Sequence, residues 1–136
     1  MRELIDLAAR MGVRVTGAFL SDGRTGFSSI ETRTIGFDMR LTMNERRTTI
    51  AHELGHQHYG HVCDGDRQER AANTFAAHLL ITPAAYAAAE LMHNDVHAIA
   101  DDLHVTVELV RHYQAHCLQR DGMYTYLRQR IPSAQP

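Results

Sequence analysis

The stretch "TTIAHELGHQHYGH", residues 48–61, places four histidines and one glutamate within ten positions. Its centre, His52-Glu53-Leu54-Gly55-His56, is an H-E-x-x-H pattern whose spacing carries a mechanism on a helix. Residues four apart lie one turn apart on one helical face, with Cβ atoms about 6 Å apart. Two imidazoles so placed can converge on one metal ion. Glu53 points about 100° around the helix from His52. It therefore stands beside the metal, where it can accept a proton from a water molecule whose pKa the metal lowers. The competing reading is a solvated, histidine-rich helix face that holds nothing.

The surrounding residues support a helix. Thr42-Met43-Asn44-Glu45 fits a capping box, in which a hydroxyl and a carboxylate satisfy the exposed amides of a helix start. Ile50 and Leu54 supply an apolar side, and the helix is expected to end at His58 or Tyr59, before Gly60.

A catalytic zinc needs a third protein ligand and one open position. His58 lies about 200° around the helix from His56 and points away. His61 follows Gly60 and can turn back, either to the metal, to the helix end or to substrate. Glu69, after a loop and at the start of the next helix, is the better choice because its charge offsets that of Zn²⁺. Its dull alternative is a carboxylate complementing the helix dipole, in which case Asp64 or Asp66 would substitute. Asn73, one turn beyond Glu69, can hydrogen-bond a ligand histidine and fix its tautomer.

The rest of the chain reads as α+β, a small antiparallel sheet of about three strands packed with a helical bundle and with the His52–His56 helix between them. "RELIDLAARM" has helical apolar spacing, and Gly12 follows as its stop. "VRVTGAFL" alternates with period two, and "FSSIETRTIGFD" reads as one or two further strands after the turn "SDGRTG". "RQERAANTFAAHLL" forms a second, alanine-rich helix, and Thr82-Pro83 opens a third as N-cap and first helical residue. Asn94 and Thr106 are expected to cap two more, over about 95–103 and 107–120, before a frayed tail at about 128–136. A length of 136 residues suits one domain. The net charge of −2 provides no basic field for nucleic acid. Two cysteines are too few for a disulfide framework, and the amino-terminal segment lacks the apolar run of a secretion signal. No segment has membrane-spanning length, so a cytoplasmic location is expected.

"TTIAHELGHQHYGH", followed by "ERAANTFAAHLLITP", resembles the ImmA/IrrE family of zinc metallopeptidases, with an A-H-E-L-G-H helix and then an E-x-x-A-N-x-F-A-A-x-L-L element. The resemblance covers residues 48–83. It implies one Zn²⁺ per chain held by His52, His56 and Glu69, with Glu53 as general base. Ala71 stands where the family often has a second acidic residue, and Ile81-Thr82 stands where methionine usually precedes proline. The resemblance further implies an endopeptidase that cuts a helix-turn-helix transcriptional repressor, of the compact type common in phages and mobile elements. The rival is a zinc-containing anti-repressor or toxin–antitoxin-type module that acts by binding alone.

Other features carry weaker expectations. Tyr59, His61 and His78 are candidates for contacting substrate or stabilising an oxyanion, each weighed against simple packing. Cys63 is weighed as an extra ligand against an ordinary loop residue. "AIADDLHVTVELVRHY" resembles a helix-turn-helix. It carries Asp101, Asp102 and Glu108 against Arg111 alone, so core packing is expected and direct nucleic-acid binding is not. Tyr124, Tyr126, Arg128 and Arg130 give the tail an aromatic and basic character.

Overall fold

The computed structural model describes residues 1–63, 65–121 and 124–127. Helix α1, Arg2–Arg10, buries Leu4 and Ala8 and stops at Met11, followed by Gly12 with φ of 72°. Three strands follow: β1 (Arg14–Ala18), β2 (Gly26–Ser29) and β3 (Thr34–Asp38).

Their order is β1-β3-β2, with β3 antiparallel to β2 and parallel to β1. The sheet is therefore mixed, which corrects the expectation of an antiparallel one. The reason lies in which strand takes the centre. β3 carries Ile35, fully buried, and alternation alone does not reveal that it inserts between its predecessors. Residues 19–25 consequently cross two strand spacings, about 9.5 Å, rather than making a tight hairpin. Asp38 fastens that crossing. Its buried carboxylate accepts from Leu20 N at 2.9 Å, Arg40 N at 2.8 Å and the Arg40 guanidinium at 2.7 and 2.9 Å. The Arg40 side chain, then the Arg40 and Leu20 amides, hold this carboxyl well below the usual carboxylate range.

Helix α2, Met43–Tyr59, has the expected capping box: Thr42 Oγ1 accepts from Glu45 N at 3.2 Å, and Glu45 Oε1 accepts from Thr42 N at 2.8 Å. It ends at Gly60, whose φ of 69° turns the chain into the left-handed region that glycine enters at little cost. Helices α3 (Asp66–Leu80), α4 (Pro83–Met92), α5 (Val96–Leu103) and α6 (Val107–His116) follow, then a β4–β5 hairpin of Leu118–Asp121 and Tyr124–Leu127. Thr82 and Thr106 cap α4 and α6 as expected. Asp95, not Asn94, caps α5, because its carboxylate reaches His97 N at 3.0 Å. α6 stops at His116 instead of running to 120, since the chain turns at buried Cys117 into β4. Asp64 and the 128–136 tail, with Arg128 and Arg130, lie outside the described residues.

α2 packs between the sheet and α3, and α6 covers the other side of α3. Ile50, Ala51 and Leu54 lie at the centre of the core, at 1% exposure or less. Gly55 allows the closest approach. A Cβ there would stand 2.9 Å from Ala72 Cα and 3.1 Å from Ala72 O, so α3 rests directly on the backbone of α2. The α5–α6 pair is docked by its turn: Thr106 N donates to Thr48 Oγ1 at 3.1 Å, and Arg47 donates to His104 O at 2.7 Å. The helix-turn-helix-like segment thus packs against the N-terminal half of α2. Among the described residues, no single helix is long and apolar enough to cross a membrane.

Candidate metal centre

His52 and His56 stand one turn apart on α2, and the α2–α3 contact at Gly55 and Ala72 brings Glu69, in the first turn of α3, opposite them. Three atoms converge. His52 Nε2 lies 2.9 Å from Glu69 Oε2, His56 Nε2 lies 2.6 Å from the same oxygen, and the two Nε2 atoms are 3.1 Å apart. A tetrahedral ion with bonds of about 2.0–2.1 Å spaces its ligand atoms by about 3.3 Å, so a small side-chain adjustment seats one. Among the described residues, these three are the His/Cys/Asp/Glu group that could hold a metal ion. The His56 side chain is 5% exposed and that of Glu69 is 42%, so solvent reaches the cluster from the α3 side.

The rear nitrogens are also engaged. His52 Nδ1 is 2.8 Å from Asn73 Oδ1, and His56 Nδ1 is 3.0 Å from His61 Nδ1. An amide oxygen only accepts, so this contact fits the His52 tautomer protonated on Nδ1, which leaves the Nε2 lone pair for an ion. Burial lowers the His52 pKa, and the Glu69 carboxylate opposes that shift without cancelling it. The shift favours the neutral ring, the form in which an imidazole binds a metal.

Glu53 is 8% exposed and sits beneath β2. A Cβ on Gly26 would lie 3.2 Å from Glu53 Oε2, 2.5 Å from Thr49 Cγ2 and 2.8 Å from Gly36 O. The absence of a side chain at Gly26 is what lets this strand lie over Glu53. Gln57, one turn further along α2, donates from Nε2 to Ser28 Oγ at 2.9 Å and to Ser29 O at 2.8 Å. These two anchors were missed in the sequence. Gln57 shares the helical face of Glu53, which was a usable signal, but its partner strand is a tertiary contact that spacing does not reveal.

The remaining candidates fall into distinct places. His58 is exposed against Tyr59 and Phe75. Tyr59 stacks on His61, with ring centroids 5.3 Å apart and planes 13° apart. His78 lies nine residues along α3 from Glu69, about 13 Å by helical rise, and the three-residue cluster does not include it. Cys63 and Asp66 are exposed and outside the cluster. His112 was not singled out in the sequence. From α6 its Nε2 meets Thr74 Oγ1 at 2.8 Å, one residue from Asn73.

No curated protein matches the chain. The family model of the IrrE N-terminal-like domain, Peptidase M78, matches residues 8–113, from within α1 to within α6. That span includes the sheet, the converging histidines and Glu69, and it leaves out the β4–β5 hairpin. With so much of its length matched, the chain belongs to the Peptidase M78 family, in which the IrrE N-terminal-like domain is a metallopeptidase-type fold.

Proposed function

We propose that this chain is a zinc-dependent endopeptidase whose catalytic base is Glu53. The observation that carries the reading is the convergence of His52 Nε2, His56 Nε2 and Glu69 Oε2 from two helices, with Glu53 next to His52 in the chain and its carboxylate under an edge strand. Two imidazoles and one carboxylate match the His₂Glu donor set of catalytic zinc sites, which leave a further position for water or substrate. One Zn²⁺ per chain would be held by His52, His56 and Glu69. When bound, zinc lowers the pKa of water toward neutrality and polarises a peptide carbonyl.

The remaining steps belong to the protein. Glu53 takes a proton from the attacking water on a carboxylate oxygen and delivers it to the leaving amine nitrogen. Asn73 holds His52 in the tautomer whose lone pair faces inward. β2 lies at the edge of the sheet, so an extended substrate can add to it through main-chain hydrogen bonds, next to Glu53. Gln57 and Gly26 keep that strand seated on α2.

The proposed substrate is a helix-turn-helix repressor of a phage or mobile element, which rests on the resemblance of residues 48–83 to repressor-cleaving relatives. The experiment compares wild type with Glu53→Gln on the repressor encoded beside the gene. The charge is lost while shape and ligands stay, so cleavage should fall by at least ~100-fold, the usual range for a general base. Zinc content should be unchanged. Equal relief of repression by both proteins, without cleavage, would replace this reading with an anti-repressor that acts by binding.

A further inference from the structure

His56 has its own outer partner, and it comes from beyond the helix. Gly60, at φ of 69°, reverses the chain so that His61 N donates to His56 O at 2.9 Å. The turn sets the His61 ring on the Tyr59 ring, near parallel at 13°, and brings His61 Nδ1 to 3.0 Å from His56 Nδ1. His56 Nε2 is the nitrogen that faces Glu69, so His61 meets the opposite nitrogen of the same ring.

With no ion between them, two imidazole nitrogens at that distance share one proton, because two lone pairs or two N–H groups would repel. A ligand whose Nε2 lone pair faces a metal carries its proton on Nδ1. His56 is then the donor, His61 Nδ1 is the acceptor, and the proton of His61 resides on Nε2.

We infer that His61 is a positioning residue of the metal centre: it accepts the His56 Nδ1–H and fixes the ring orientation and tautomer that present Nε2 to the ion. It does for His56 what Asn73 does for His52, through an imidazole instead of an amide. The inference rests on the zinc reading above and adds to it a role acted out through His56, distinct from contact with substrate. It also gives Tyr59 a use, as the flat surface that orients His61.

The test is zinc affinity by competition with a chromophoric chelator, for wild type, His61→Ala and His61→Asn. Removing the partner of a ligand histidine characteristically weakens metal binding by about 10–100-fold, and that loss is expected for His61→Ala. Asparagine can set an amide oxygen where the imidazole Nδ1 stood, so His61→Asn should recover most of the affinity. Nitrogen-15 spectra of the zinc-loaded wild type supply a readout that needs no variant. His56 should be protonated at Nδ1, and His61 at Nε2 alone.

A His61→Ala protein that binds zinc as tightly as wild type overturns the inference and leaves the zinc site standing. A proton on His61 Nδ1 in the loaded wild type does the same, even where a variant fails to fold. A wild type that takes up no zinc removes the metal reading and this inference with it.

Discussion

His112 shows how a residue away from the candidate metal centre can still set the protein's response to acid. Burial is the largest cause lowering its pKa, to about 4, and the neighbouring His116, His52, His78 and Arg70 push in the same direction. In the unfolded chain the ring titrates near its ordinary value of 6.5. Between pH 6.5 and 4 the unfolded state therefore binds a proton that the folded state refuses, and stability falls as the pH drops through that window. Above it the group contributes nothing. The slope it adds is bounded by about 1.4 kcal/mol per pH unit, lessened by the solvent at its exposed edge. In zinc-free protein, the melting temperature of His112→Gln should fall less steeply than that of wild type from pH 6.5 to 4.5. Parallel curves would show that His112 does not govern this limb. At the same scale, the grouping of His52 with His56 was legible because H-E-x-x-H is a local pattern, and that of Glu69 and Asn73 because they share one turn of the next helix. Gln57 and His112 were not legible, since each acquires its role from an element distant in sequence, Ser28 and Ser29 in one case and Thr74 in the other.

Among the elements, α2 and α3 matter most, because the site exists only where they touch. Gly55 decides their separation. An alanine there would gain about 1 kcal/mol in helix propensity. Its Cβ would meet Ala72 Cα at 2.9 Å and Phe75 Cβ at 3.1 Å, and backbone cannot rotate away as a flexible side chain does. Overpacking of this kind costs about 1–3 kcal/mol, so the clash outweighs the propensity. Gly55→Ala should lower the unfolding free energy in urea by up to about 2 kcal/mol. It should also weaken zinc binding, because α3 carries Glu69 outward. A variant more stable than wild type, with unchanged zinc affinity, would mean that α3 does not rest on Gly55 as described. Element boundaries were readable where side chains close on their own backbone, as at Thr42, Thr82 and Thr106. They failed where two capping residues stood side by side, at Asn94 and Asp95. They failed again after His116, although Asp121-Gly122 is a hairpin dipeptide that could have argued for β4 and β5.

For the molecule as a whole, the α+β class followed from a change of period, from two between Val13 and Asp38 to helical spacing after Thr42. The mixed topology did not follow. Alternation says which face of a strand is buried and not which strand sits between the others, and β3 is central because it pairs with both β1 and β2. The order of layers has a functional meaning. The sheet supplies an edge over Glu53, α2 supplies His52 and His56, α3 supplies Glu69, and the α5–α6 pair docks on the start of α2. The most direct test of that arrangement is zinc per chain after exhaustive dialysis, for wild type, Glu53→Gln and Glu69→Ala measured side by side. Stoichiometric zinc in the first two and its loss in Glu69→Ala is the predicted result. Zinc retained in full without Glu69, or a wild type that holds none when metal is supplied, would contradict the account.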